Sequence, residues 1–174
     1  MKRLAAAGLA LLLCAGQAGA AEDDWPVIKG ERLSGQPPWA AFAIYRADGS
    51  VVGVTLFARP DRQLVARRLT MSGDRPSVSW AGGQACPALP EALASLEQLP
   101  IPRLEVPFVG QEPRRGQVVM DGDSYFLWSD DARWGGGSQG STLEMRAVGG
   151  SPLADWADRT LAAVAGCWGP APPP

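Results

Sequence analysis

The residues best placed to do chemistry in this chain lie together in one short segment, Trp128-Ser129-Asp130-Asp131-Ala132-Arg133-Trp134. Adjacent carboxylates, a guanidinium and two indoles are the groups with which proteins hold sugars and peptides. Asp130, Asp131 and Arg133 would bond polar groups while Trp128 or Trp134 offers a flat apolar face. The plainer reading is a hairpin loop with one aromatic folded onto a sheet. Directly afterwards, Gly135, Gly137 and Gly140 spell G-x-G-x-x-G. A dinucleotide fingerprint must open a helix whose N-terminus receives the pyrophosphate. The residues after Gly140 alternate as a strand does, so no nucleotide site is expected.

Asp121 and Asp123, taken with Asp130 and Asp131, raise two further chemistries. A calcium loop needs acidic ligands at alternating positions ending in a bidentate Glu, and that spacing is missing. Hydrolysis by paired carboxylates needs a fixed separation across the substrate, which spacing along the chain does not supply; turn residues are the simpler reading. Lys29 with Ser34 lacks the S-x-x-K order of a Ser-Lys dyad. The chain contains no histidine, which removes Ser-His-Asp and Cys-His catalysis and every imidazole-dependent metal site. No metal, no cofactor and no catalytic residue is therefore expected.

The cysteines acquire meaning from the first 20 residues. Lys2 and Arg3 precede an uncharged apolar run, Leu4 to Ala15, and Ala18-Gly19-Ala20 places small residues where a signal peptidase accepts them. We expect cleavage after Ala20 and export to the periplasm or the extracellular space. The apolar run is too short to span a bilayer. Cys14 sits where a lipoprotein is acylated, but Leu13 before it is larger than the Gly, Ala or Ser normally found there, which disfavours a lipid anchor. Cys86 and Cys167 remain, an even pair in an oxidising compartment, so a disulfide is expected. Removing Lys2 and Arg3 leaves 14 basic against 18 acidic residues, a net charge of −4, which gives nucleic-acid binding no electrostatic basis.

These groups need a scaffold, and the chain is patterned for one. Residues 21–38 read as a polar, Pro- and Gly-bearing lead-in. From Trp39, runs through Ile44 and through Val51 to Phe57 flank Asp48-Gly49, the signature of a type I′ hairpin turn, and strands 63–70 and 77–81 follow. Leucines 89, 93, 96 and 99 make one face of a helix that Pro100 ends. Strand candidates 103–108, 116–120 and 124–128 come next, the last two joined at Asp121-Gly122-Asp123; a Gly-rich loop spans 129–140 and a strand spans 142–148. Ser151 caps a second helix with Pro152 in its first turn, and Leu153, Trp156, Thr160, Leu161 and Val164 form its apolar stripe.

The expected fold is a single α+β domain over 39–169: an antiparallel sheet of about 6–8 strands, two helices on one side, one disulfide, and a disordered Pro-rich tail at 170–174. Trp39, Trp80 and Trp156 fall on faces where core packing accounts for them, and Trp168 would shield the bridge. The expected role is non-catalytic binding of a protein or glycan partner in the envelope, with no membrane span once the signal is removed. A carboxylate-dependent hydrolase of envelope polymers and an inhibitor or immunity-type protein are the alternatives.

Overall fold

The computed structural model describes Ile28 and residues 32–73, 75–100, 102, 122–132 and 140–174, with Asp131 and Ala132 described by their backbone alone. The expected signal at 1–20, the strand candidates 103–108 and 116–120, Asp121, Arg133 and Trp134 lie outside the described residues.

Six strands are described: β1 (Ala40–Tyr45), β2 (Val51–Ala58), β3 (Leu64–Ser72), β4 (Arg75–Gly82), β5 (Ser124–Ala132) and β6 (Ser141–Val148). They form one sheet in the order β4-β3-β2-β1-β5-β6, antiparallel throughout. β1 lies inside the sheet and is buried on both faces, which is why Ala40-Ala41-Phe42-Ala43-Ile44 is an unbroken apolar run rather than an alternation.

The β1–β2 turn differs from the expected type I′. Arg46 N–H donates to Ser50 C=O at 2.8 Å and Gly49 N–H to Arg46 C=O at 2.9 Å, enclosing a three-residue loop in which Gly49 has φ +82° and Asp48 is not left-handed. The cause is the Asp48 side chain, whose Oδ1 accepts from both the N–H (2.9 Å) and the hydroxyl (2.7 Å) of Ser50. This local bond favours a type I turn followed by one left-handed residue. The β2–β3 turn repeats the design: Arg59 N–H bonds Gln63 C=O at 2.9 Å, Asp61 Oδ1 accepts from Gln63 N–H at 3.1 Å, and Arg62 takes the left-handed position at φ +64°.

Two helices cover one face: α1 (Ala88–Ala94), continued as a 3₁₀ turn through Gln98, and α2 (Pro152–Ala163). Ala154 N–H donates to the Ser151 hydroxyl oxygen at 3.2 Å, the cap expected of that Ser-Pro start. Trp156, 1 % exposed, joins the layers. Its Nε1–H is shared between Ala92 C=O (3.2 Å) and Ser95 Oγ (3.1 Å), and its ring meets Phe42 edge-on with centroids 5.0 Å apart. Cys86, just before α1, is bonded to Cys167, just after α2, with Cα atoms 5.6 Å apart. Trp168 packs on the same core, with the Arg68 guanidinium 4.6 Å from its ring centre. None of the described helices is long and apolar enough to cross a membrane.

The opposite face is also occupied, in part by the segment expected to be only a lead-in. Ile28 is fully buried against Ala41, Ala43, Val51 and Leu69, and its carbonyl accepts from the Thr55 hydroxyl at 2.6 Å. Gly53 makes room for it: a Cβ there would stand 2.5 Å from Ile28 Cδ1. Leu33 joins Phe57, Val65 and Trp80 nearby. The tail is likewise placed. Beyond Gly169, which exchanges two backbone bonds of 2.8 Å with Trp80, Pro173 of the expected disordered tail lies over Gly82 at the end of β4, and Arg59 in the β2–β3 turn donates to the Pro174 oxygen.

Candidate functional site

β5 does not stop at Trp128 as the alternation suggests; it continues to Ala132, and the expected 129–140 loop loses its first residues to the strand. Asp130 N–H and the Ser129 hydroxyl both donate to Trp39 C=O, at 3.0 and 3.2 Å, which holds β5 against the residue that precedes β1. Pairing with β6 then shifts between Ser129 and Ala132, from Ser129 opposite Leu143 to Ala132 opposite Ser141. The result is a two-stranded arm with a bulge at its base, a feature that re-aims side chains at strand ends.

Trp128 and Asp130 sit at that base. Trp128 stands opposite Ala41 on one side and Glu144 on the other, and is half-buried against the cluster around Ile28. Asp130 is exposed, and its Oδ1 accepts from the Thr142 hydroxyl at 3.1 Å. Asp131 contributes a strand backbone position, while Arg133 and Trp134 lie outside the described residues. On the same face, Tyr45 and Phe126 meet edge-on with centroids 4.9 Å apart and the Arg146 guanidinium lies 4.4 Å over Phe126.

Asp123, considered with Asp130 as one half of a carboxylate pair, belongs to another place. It precedes β5 whereas Asp130 lies near its end, about 23 Å away at the rise of an extended strand. There it enters a cluster that residue spacing did not reveal, because its members are 77 and 112 residues apart. Arg46 donates to Asp123 Oδ2 at 2.5 Å and to Asp158 Oδ1 at 3.0 Å, Ala47 N–H donates to Asp123 Oδ1 at 2.9 Å, and the Tyr125 hydroxyl donates to Asp158 Oδ2 at 2.8 Å. The Ala47 N–H, then Arg46, hold the Asp123 carboxyl below its ordinary value. Burial, then the bond to Asp158, push the Tyr125 phenol up to about 12. At neutral pH both groups keep one protonation state, so the cluster braces the first turn, β5 and α2 rather than moving protons.

Two open grooves flank the β2–β3 turn, one of about 440 Å³ bordered by Gln36, Arg59, Asp61 and Pro174 and one of about 250 Å³ bordered by Asp61, Arg62, Gln84 and Pro90. Neither reaches Trp128 or Asp130. Among the described residues no three of His, Cys, Asp and Glu converge as metal ligands.

The fold and this geometry define an α+β protein with one antiparallel sheet, two helices packed on it, and a β5–β6 pairing that continues past β1 through a bulge. No protein-family model matches the chain, and neither a search of curated proteins nor one of solved structures finds a significant match.

Proposed function

We propose that this chain is an exported envelope protein, periplasmic or extracellular, whose β5–β6 arm binds a protein or glycan partner without catalysing a reaction. The observation that carries the reading is the Thr142–Asp130 hydrogen bond of 3.1 Å. It fixes one oxygen of an exposed carboxylate near the end of β5, and no described residue bonds the other, so an oriented acceptor is exposed two residues along the strand from Trp128. A rigidly based polar group next to an aromatic surface suits recognition of hydroxyls or backbone amides. Export is supported by the order of charged, apolar and small residues in 1–20, and by the Cys86–Cys167 bridge, a bond that persists in oxidising compartments. Of the carboxylates the hydrolase alternative would use, Asp123 is already ion-paired with Arg46 and lies at the far end of β5 from Asp130, which weighs against that alternative.

The test is photocrosslinking in cells that export the chain. A photoreactive side chain replaces Asp130, with Arg159 on the exposed side of α2 as the control site. A protein or glycan adduct formed at 130 but not at 159, and reduced by Trp128→Ala, supports the arm as the binding surface. Equal labelling at both sites, or none at 130, removes it. Mass measurement of the exported protein checks cleavage after Ala20 independently.

A further inference from the structure

Gly82, the last residue of β4, gives up a side chain for one neighbour. A Cβ there would stand 3.0 Å from the Cβ and Cγ of Pro173, and, its own chain neighbours aside, no other described atom lies within 4 Å of that position. Its φ is not positive, so the backbone does not call for glycine either. Glycine weakens a strand, and where it appears in one it often marks the close approach of another segment. Here that segment is the Pro-rich tail. Side chains alternate along β4, so Pro173 lies on the face that carries Trp80, where Leu33, Phe57 and Val65 pack, and not on the face of Ala81 and the helices.

The tail is held at two places. Gly169 exchanges two 2.8 Å backbone bonds with Trp80, and Arg59 donates to the Pro174 backbone oxygen and reaches the Pro173 carbonyl at 3.5 Å. Between these places Pro170, Ala171 and Pro172 are exposed, while Pro173 is half-buried. Residues 170–174 are all proline except Ala171, so the segment offers carbonyl acceptors and a single backbone N–H. Its seat answers that chemistry with an arginine fork for the carbonyls and a bare glycine for a pyrrolidine ring. Pro-rich segments are extended before they bind and lose little freedom on binding, so a groove can hold them through few contacts.

We propose that the surface from Gly82 to Arg59 is a binding site for an extended proline-rich segment of a partner protein, and that residues 170–174 are a strap that fills it until such a segment displaces them. The strap is the template for the ligand: a proline seated on Gly82, followed by a residue whose backbone oxygen meets Arg59. The space is the one the strap itself fills, so release of the strap is what opens it. The strap is tethered beside its seat at an effective concentration on the order of millimolar, and a partner segment must outcompete it through added contacts of its own. The site is separate from the surface at Asp130, since β3, β2 and β1 lie between β4 and β5.

The experiment is an NMR titration with the peptide Pro-Ala-Pro-Pro-Pro, blocked at both ends, following the amide signals of Arg59 and Gly82. It compares the full disulfide-bonded chain with a full-length variant whose strap is released by Pro170→Ser, Pro172→Ser, Pro173→Gly and Pro174→Ser. The released variant should bind with a dissociation constant on the order of 0.5 mM, and the native chain roughly tenfold more weakly because its strap competes. Gly82→Val, which fills the place of the seated proline, and Arg59→Gln, which removes the donor fork, should each weaken binding to the released variant by roughly fivefold. A second reading needs no released variant: in the native chain Gly82→Val should lower the heteronuclear NOE of Ala171, the one amide in the strap, to that of an unstructured segment. No binding to the released variant, binding indifferent to both substitutions, or equal binding to the native chain overturns the proposal. So does a native dimer that the released variant does not form, which would assign the seat to the tail of a second copy.

Discussion

The Tyr125 hydroxyl donates to Asp158 at 2.8 Å, tying the second residue of β5 to the middle of α2. Tyr125 is 3 % exposed, and burial together with this bond pushes its phenol up to about 12, above the ordinary tyrosine value near 10. The folded chain thus holds this proton more tightly than the unfolded chain does. The resulting stability is fully present below about pH 10 and is lost as pH rises through about 12. Alkaline titration of tyrosinate absorbance should show a late step that Tyr125→Phe abolishes and Asp158→Asn moves downward. A late step that survives in Tyr125→Phe would contradict the assignment.

The two hairpin turns make opposite demands of their left-handed residue. Gly49 at φ +82° suits its position, and Gly49→Ala should cost about 1 kcal/mol. Arg62 occupies the equivalent place at φ +64° with a full side chain, so Arg62→Gly should raise stability by roughly 0.5–1 kcal/mol. Urea denaturation of both variants reads the pair; a destabilised Arg62→Gly would mean that the arginine side chain contributes more than its backbone strain costs.

Gly53 and Ile28 test whether the segment before β1 is part of the folded core. A Cβ at Gly53 would come within 2.5 Å of Ile28 Cδ1 and 2.6 Å of its Cγ1. Gly53→Ala should therefore destabilise by about 1–3 kcal/mol through overpacking. Combining it with Ile28→Ala should cost less than the sum of the two single changes, because the smaller side chain vacates the space the new methyl needs. Strict additivity in thermal melts would place Ile28 elsewhere.

The Cys86–Cys167 bridge closes a loop of sequence separation 81. In the chain-entropy account, replacing both cysteines by serine should lower stability by about 4 kcal/mol. The loss should be largest in hydrogen exchange at Trp80 and Gly169, whose mutual bonds lie just beyond Cys167 and depend on where the chain leaves α2. Protection there equal to that of the disulfide-bonded chain would show that the tail holds β4 unaided.

Much of the fold was legible because its signals are local. Ser151-Pro152 and the stripe from Leu153 to Val164 specify a capped helix whatever it packs against, and Asp48-Gly49 specifies a reversal between two strands. An even cysteine pair flanking two helices is enough to expect the bridge that joins them. The turn type departs from the I′ expectation because bonds from the Ser50 N–H and hydroxyl to the Asp48 side chain compete with that conformation, and propensity does not register them. The end of β5 lies beyond the expected Trp128 because Ser129 and Asp130, residue types common in turns, both bond the carbonyl of Trp39, which keeps them extended.

By itself, then, the amino-acid order determined which segments alternate, which coil, where the chain reverses and which cysteines can pair, since each depends on neighbours a few residues apart or on simple arithmetic. The tertiary structure alone decided that Ile28 fills the space above Gly53, that Gly169 guards the β4 edge, and that Arg46 draws Asp123 and Asp158 together. Those outcomes depend on distances between residues far apart in sequence, and such distances exist only once the sheet has set its order and its faces.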